Sequence, residues 1–175
     1  MTTKPTYCSL ASLVALYIIK EPNRSACFQI LEDNIILFGQ TAGSSNNHQA
    51  WRGGYVDHVE EVMNFAVYLY EKMNFFHPLP FKLEDALLVL FLHDLEKPWK
   101  EIEKFKTKQE RHEFRLRKIT EYGMRLTPEQ QNAIKYVEGE GDDYSSLRRV
   151  MNPLAAFCHM VDIASARIWF NHPLR

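Results

Sequence analysis

Leu83-Glu-Asp-Ala-Leu-Leu-Val-Leu-Phe-Leu-His-Asp-Leu95 is the stretch on which the fold turns. After its first turn this segment is apolar nearly all round, the pattern of a helix that neighbours cover on every side. Pro98 closes it, because the residue before a proline is pushed out of the helical region. Working upstream, Tyr55, Val59, Val62, Ala66, Leu69 and Met73 recur at helical spacing and predict a helix from Gly53-Gly54 to about Met73, with His58 on the same stripe. Residues Tyr7 to Lys20 read as a buried first helix stopped near Pro22, and Asn23 to Glu32 as a short second one. Downstream, Lys100 to Lys118 carries mixed-sign pairs at helical spacings and reads as a mostly solvated helix. Thr127-Pro128-Glu-Gln130 is a helix start with a capping box, running to about Val137, and Asn152-Pro153 opens a final apolar helix from Leu154 to Phe170. These elements predict an all-α bundle of six to eight helices forming one domain over residues 1 to 175.

Seven glycines and eight prolines in 175 residues leave too few turn signals for a sandwich or barrel of many short strands. The formal net charge of -1 gives no bulk attraction for nucleic acid or for an anionic membrane, so an anionic ligand has to be met by a local cluster. Cys8, Cys27 and Cys158 are odd in number and lack CxxC spacing, which points to free thiols and a cytoplasmic setting. The apolar run from Leu10 to Ile19 has only Lys4 as a basic residue before it and no clear cleavage site after it, so it does not read as a signal peptide. No run approaches the ~18 apolar residues that span a bilayer. Two loops stand out: Gly39 to His48, the most polar and turn-rich stretch, and Gly139 to Asp143.

Several polar residues sit where apolar ones are expected. Asp162 lies among Cys158, Met160, Val161, Ile163 and Ala164, and a buried carboxylate needs a cation, a metal or strong donors. Taken alone it is as readily a structural ion pair as a ligand. His93-Asp94 ends a helix whose preceding seven residues are all apolar, and the plain reading is a helix that has just reached solvent. His58 taken alone is a core histidine satisfied by one carbonyl. Together, two imidazoles and two carboxylates from three buried elements form a set suited to one divalent transition metal, Mn, Fe, Co, Ni or Zn, with positions left for water and substrate.

The order His58, His93-Asp94, Asp162 resembles the HD-domain superfamily of metal-dependent phosphohydrolases, whose pattern is H…HD…D on an all-α bundle. Trp51-Arg-Gly-Gly-Tyr-Val-Asp-His58 is similar to that family's Gly-Gly-apolar-x-x-His entry, Phe91-Leu-His-Asp-Leu-Glu-Lys97 to its His-Asp-x-x-Lys, and Val161-Asp-Ile-Ala-Ser-Ala-Arg167 to its terminal Asp helix. The resemblance covers about residues 48 to 170. It implies a compact HD-domain bundle, metal ligation by His58, His93, Asp94 and Asp162, and hydrolysis of a nucleotide or other small phosphate ester by a metal-activated water. The sequence departs from members that hold two metals, which carry further histidines before the last Asp; only His112 is available here, and Tyr136 or Glu138 stands at the later position. One metal per chain is the expectation.

Phosphate also needs cationic partners. Lys97, one helical turn from His93, and Arg52, beside the helix start at Gly53-Gly54, are candidates, and that helix end adds a partial positive charge. Asp94 and Lys97 are the leading catalytic candidates. Glu96, where the family has a small or apolar residue, is a candidate acid or water-orienting group. His48 is a candidate for contacting phosphate or protonating a leaving group, against a plain loop histidine. Glu138, Glu140, Asp142, Asp143 and Tyr144, followed by Arg148-Arg149, form a loop that could line a pocket, with Arg148 a candidate for substrate binding; a solvated acidic turn is the alternative. His77, His159 and His172 have no assigned role. Two further readings stay open, a diiron HD-type oxygenase and a non-catalytic metal- and nucleotide-binding HD module.

Overall fold

A computed structural model describes residues 7–45 and 47–169. Among them no strand occurs, and the helices follow in order: α1 (Leu10–Tyr17), α2 (Asn23–Asp33), α3 (Ile35–Gln40), α4 (Gly54–Phe76), α5 (Leu83–Leu92), α6 (Lys100–Glu103), α7 (Lys108–Glu121), α8 (Pro128–Tyr136) and α9 (Pro153–Ile168). Short 3-10 turns cover Lys97–Trp99 and Gly141–Asp143.

Helix α5 is the centre. It packs on α4, α9, α8 and α1, and every residue from Ala86 to Leu92 is buried, which is why the segment has no polar face. Helix α9 completes the core by packing on α8, α4 and α5. Helix starts follow local chemistry. Ser9, Thr107 and Asn152 accept hydrogen bonds from the amides of Ser12, Glu110 and Ala155, and Thr127 and Gln130 form the expected reciprocal box. Gln130 also donates to Asp85 Oδ1 at 2.8 Å, tying the start of α8 to the start of α5.

The structure differs from the sequence expectations in instructive places. Helix α1 is shorter than Tyr7 to Lys20, and Leu16 and Ile19 stay exposed, so it buries one face instead of its circumference. Helix α5 ends at Leu92; His93 to Glu96 continue as turns that remain buried, so the His-Asp pair has not reached solvent. The charged region from Lys100 to Lys118 is broken at Lys104, whose φ of 53° is left-handed, and Arg115 within α7 is only 3% exposed. That region is therefore not simply solvated. Helix α9 leaves Met160 and Ile163 exposed and buries the opposite side. The expected end of this helix at Phe170, the end of the 48 to 170 span, and His172 lie outside the described residues.

Candidate metal centre

Three elements bring the expected ligands together. His58 comes from the second turn of α4, Asp162 from α9, and His93 and Asp94 from the buried turn after α5. His58 and His93 have no exposed surface, and Asp94 has 4%. The two imidazole Nε2 atoms lie 3.2 Å apart. Asp94 Oδ2 lies 3.1 Å from His93 Nε2 and 3.4 Å from His58 Nε2. Asp162 Oδ1 lies 3.2 Å from His58 Nε2 and 3.5 Å from His93 Nε2, with its side chain still partly open.

The far sides of both rings are held. His93 Nδ1 donates to the Leu90 carbonyl at 2.6 Å, and His58 Nδ1 pairs with Ser165 Oγ at 3.1 Å. A carbonyl can only accept, so the proton of a neutral His93 sits on Nδ1 and its Nε2 lone pair faces the cluster. Lone pairs from imidazole and carboxylate thus converge on one place, which requires a cation. Donor atoms about 2.0–2.2 Å from a transition metal stand about 3.0–3.5 Å from each other, the separation seen here. The buried group of His58, His93 and Asp94, with donor atoms all within 4.8 Å of one another, can hold a metal ion.

The electrostatics express the same demand. Burial works against a charge on His93, but Asp94 and Asp162 override it and raise the imidazole to about 10. Burial likewise opposes ionisation of Asp94 and Asp162; His93 and Lys97 hold the first below the usual carboxylate range, and hydrogen bonds from both histidines do so for the second. Lys97 Nζ pairs directly with Asp94 Oδ2 and also donates to the Gly43 carbonyl at 2.9 Å.

That second bond anchors the polar loop between α3 and α4 over the cluster. Gly43 N donates to Gln49 O at 2.9 Å, and a Cβ on Gly54 would lie 1.9 Å from that same Gln49 oxygen, so only glycine fits at the start of α4. Ser44 Oγ donates to the His48 carbonyl at 2.7 Å and accepts from the His48 amide at 3.0 Å. The His48 ring is thereby held 4.9 Å from the His58 ring, with a buried Nε2 that has no hydrogen-bond partner among the described residues. Burial, then the proximity of His58 and Lys97, lowers His48 to about 4, so near neutral pH it is an uncharged hydrogen-bonding group.

The expected anion site at the start of α4 is not available. The amides of Gly54, Tyr55, Val56 and Asp57 donate to Trp51, Thr41 and Gly53 carbonyls, and Asp57 itself adds a carboxylate there, bonded to Trp51 Nε1 at 2.6 Å. Arg52 is exposed beside it, and Arg148 is exposed in the loop before α9.

Glu96 is turned away from Lys97 and toward α7. Its Oε2 accepts from Arg115 Nε at 2.9 Å, while Arg115 also donates to Glu138 Oε1 at 2.9 Å and to the Ile134 carbonyl at 3.2 Å. Burial raises Glu96, with Arg115 working against the rise. Asp94, Glu96 and Glu138 bring oxygens within 4.8 Å of each other, so this acidic group shares Asp94 with the histidine cluster. Arg115 was not legible as a buried residue: although Phe114 and Leu116 flank it, it falls among mixed-sign pairs at helical spacing that read as a solvated face. Ser165 had a signal, standing one helical turn after Asp162. His159 donates to the Val137 carbonyl at 2.6 Å, a structural contact, and His112 is half-buried on α7.

Fold and site together define an all-helical protein with a buried His/Asp cluster able to hold a metal, an arrangement that fits an HD-like fold. Against family models, curated proteins and solved structures, the chain has no match.

Proposed function

We propose that this protein is an HD-type phosphohydrolase that uses one divalent transition metal, held by His58, His93, Asp94 and Asp162, to hydrolyse a nucleotide or other small phosphate ester. The observation that carries this reading is the approach of the Asp94 and Asp162 carboxylates to the two imidazole Nε2 atoms at 3.1–3.5 Å, backed by a lysine on the same Asp94 oxygen. A divalent ion in such a set lowers the pKa of water and polarises a phosphoryl oxygen. The remaining chemistry belongs to the chain. Lys97 neutralises part of the carboxylate charge, so that two carboxylates, a lysine and a dication leave the centre positive and suited to phosphate. The partly open Asp162 side marks where substrate can approach, and His48 offers it an uncharged hydrogen bond.

A single metal is favoured over a pair. The neighbouring acidic group that a second cation would occupy already has the Arg115 guanidinium on Glu96 and Glu138. This counts against a diiron oxygenase. The test is turnover: purified protein supplied with Mn, Co or Ni is assayed against nucleotides and generic phosphoesters. Hydrolysis of at least one substrate, lost in Asp94→Ala, is expected. Ligand-induced stabilisation with no turnover of any substrate would instead select the non-catalytic module, and two irons per chain with oxygen consumption would select the oxygenase.

A further inference from the structure

A cavity of about 710 Å³ opens beside the metal centre, bounded by the loop at 41–45, the turn at 96–98 and the amino end of α7. Its size is that of a small-molecule site. Lys97, Lys100, Lys106, Lys108 and Arg111 line it, against the carboxylates of Glu96 and Glu101. Three of these charges have partners outside the cavity wall, since Glu96 is bonded to Arg115, Lys97 to Asp94, and Arg111 lies 3.9 Å from Glu138. Lys100, Lys106 and Lys108 remain, with Glu101 as the countercharge, in a chain whose formal net charge is -1.

Part of this cluster sits where a helix end disfavours cations. Lys106, Lys108 and Arg111 gather at the amino end of a 14-residue helix, where the helix dipole is positive and disfavours cations. Thr107, the cap of that helix, also lines the cavity. An anion here would be attracted by these cations, beside a helix start already capped by Thr107 and Glu110. Lys97 belongs to both the cavity wall and the His/Asp cluster, which makes it the link between them.

We propose that this cavity is a subsite for a second, distal phosphate, so that the substrate carries at least two phosphates, one at the metal centre and another held by Lys100, Lys108 and Arg111. The statement about the substrate rests on the phosphohydrolase reading; the anion subsite itself does not. A small molecule fits better than a nucleic-acid strand, because the cations line a recess instead of an extended basic stripe.

Calorimetric titration of the full chain with inorganic tripolyphosphate and with orthophosphate tests this. Wild type is compared with a Lys100→Glu/Lys108→Glu variant and its milder Lys100→Gln/Lys108→Gln counterpart, each also in an Asp94→Ala background that disables the metal centre. Both lysines are exposed, so the variants are expected to melt as wild type does. Tripolyphosphate should bind at least about tenfold more tightly than orthophosphate, and the charge reversal should weaken it by about tenfold or more in both backgrounds. Equal affinity for the two anions, absence of binding, an unchanged affinity in both lysine variants, or displacement of tripolyphosphate by a single-stranded oligonucleotide at equal phosphate concentration would overturn the subsite. No turnover enters this measurement, so a failed hydrolysis assay leaves it standing, and the reverse also holds.

Discussion

His58 Nε2 and His93 Nε2 face each other across 3.2 Å in a fully buried place, each with its other nitrogen already engaged. Two such nitrogens beside two carboxylate oxygens are stable only around a positive charge.

A bound divalent ion should therefore stabilise the fold. Saturation to a hundredfold over the dissociation constant contributes about 2.7 kcal/mol, and for a chain of this size that raises Tm by about 5–10 °C. Calorimetry with Mn or Zn, before and after chelation, reads the shift, and elemental analysis should find about one metal per chain. A His58→Ala/His93→Ala variant should show neither effect; an undiminished shift in that variant would exclude these histidines as ligands.

Gly54→Ala should be one of the more damaging single-methyl changes in the molecule. The added Cβ would overlap the Gln49 carbonyl at 1.9 Å, forcing the loop off the cluster, at a cost of about 3 kcal/mol or more. Gly39 offers the matched control, since a Cβ there meets nothing within 4 Å. Gly39→Ala in α3 should stabilise by about 0.5–1 kcal/mol through helix propensity. Denaturant unfolding of both variants decides it, and a neutral Gly54→Ala would show that the loop does not need this contact.

Removing Arg115 leaves Glu96 buried without its cation. Arg115→Met should cost about 3–5 kcal/mol, and Arg115→Lys should recover little, because a single ammonium cannot serve Glu96, Glu138 and the Ile134 carbonyl together. Adding Glu96→Gln to Arg115→Met should return part of the loss. Additive losses in that double-mutant cycle would show that the pair is not coupled.

The cysteines should divide by accessibility. Burial pushes the Cys27 and Cys158 thiols far above their ordinary range, so near pH 8 they hold no reactive thiolate, whereas Cys8 is half-buried. A thiol reagent should label Cys8 in the native protein and all three cysteines only after denaturation, as read by mass spectrometry. Native labelling of Cys27 would contradict the packing of α2 against α1.

Much of the fold was legible because it is written in local patterns. The caps at Thr127 and Asn152 depend on residues within one turn, and the apolar circumference of α5 announces a central helix wherever its neighbours come from. His58, His93, Asp94 and Asp162 were legible for a related reason: each is polar on an element otherwise coded as core, and their order resembles a known pattern. Arg115 was not, since an arginine in a charge-rich helix looks solvated until a tertiary partner such as Glu96 is known. The α4 amino terminus was misjudged on the same ground, because the Thr41 and Trp51 carbonyls that consume its amides belong to a loop whose path only the fold determines.

Sequence alone, then, determined the helical class and the core helix and singled out four polar residues in apolar surroundings, because burial propensity and helical period act within a few residues. Tertiary structure decided that the Asp94 and Asp162 carboxylates each come within 3.5 Å of the His58 and His93 Nε2 atoms, that Glu96 serves Arg115, and that the cations between Lys97 and Arg111 share one cavity with the loop at 41–45, because contacts between separate elements are set by how helices pack.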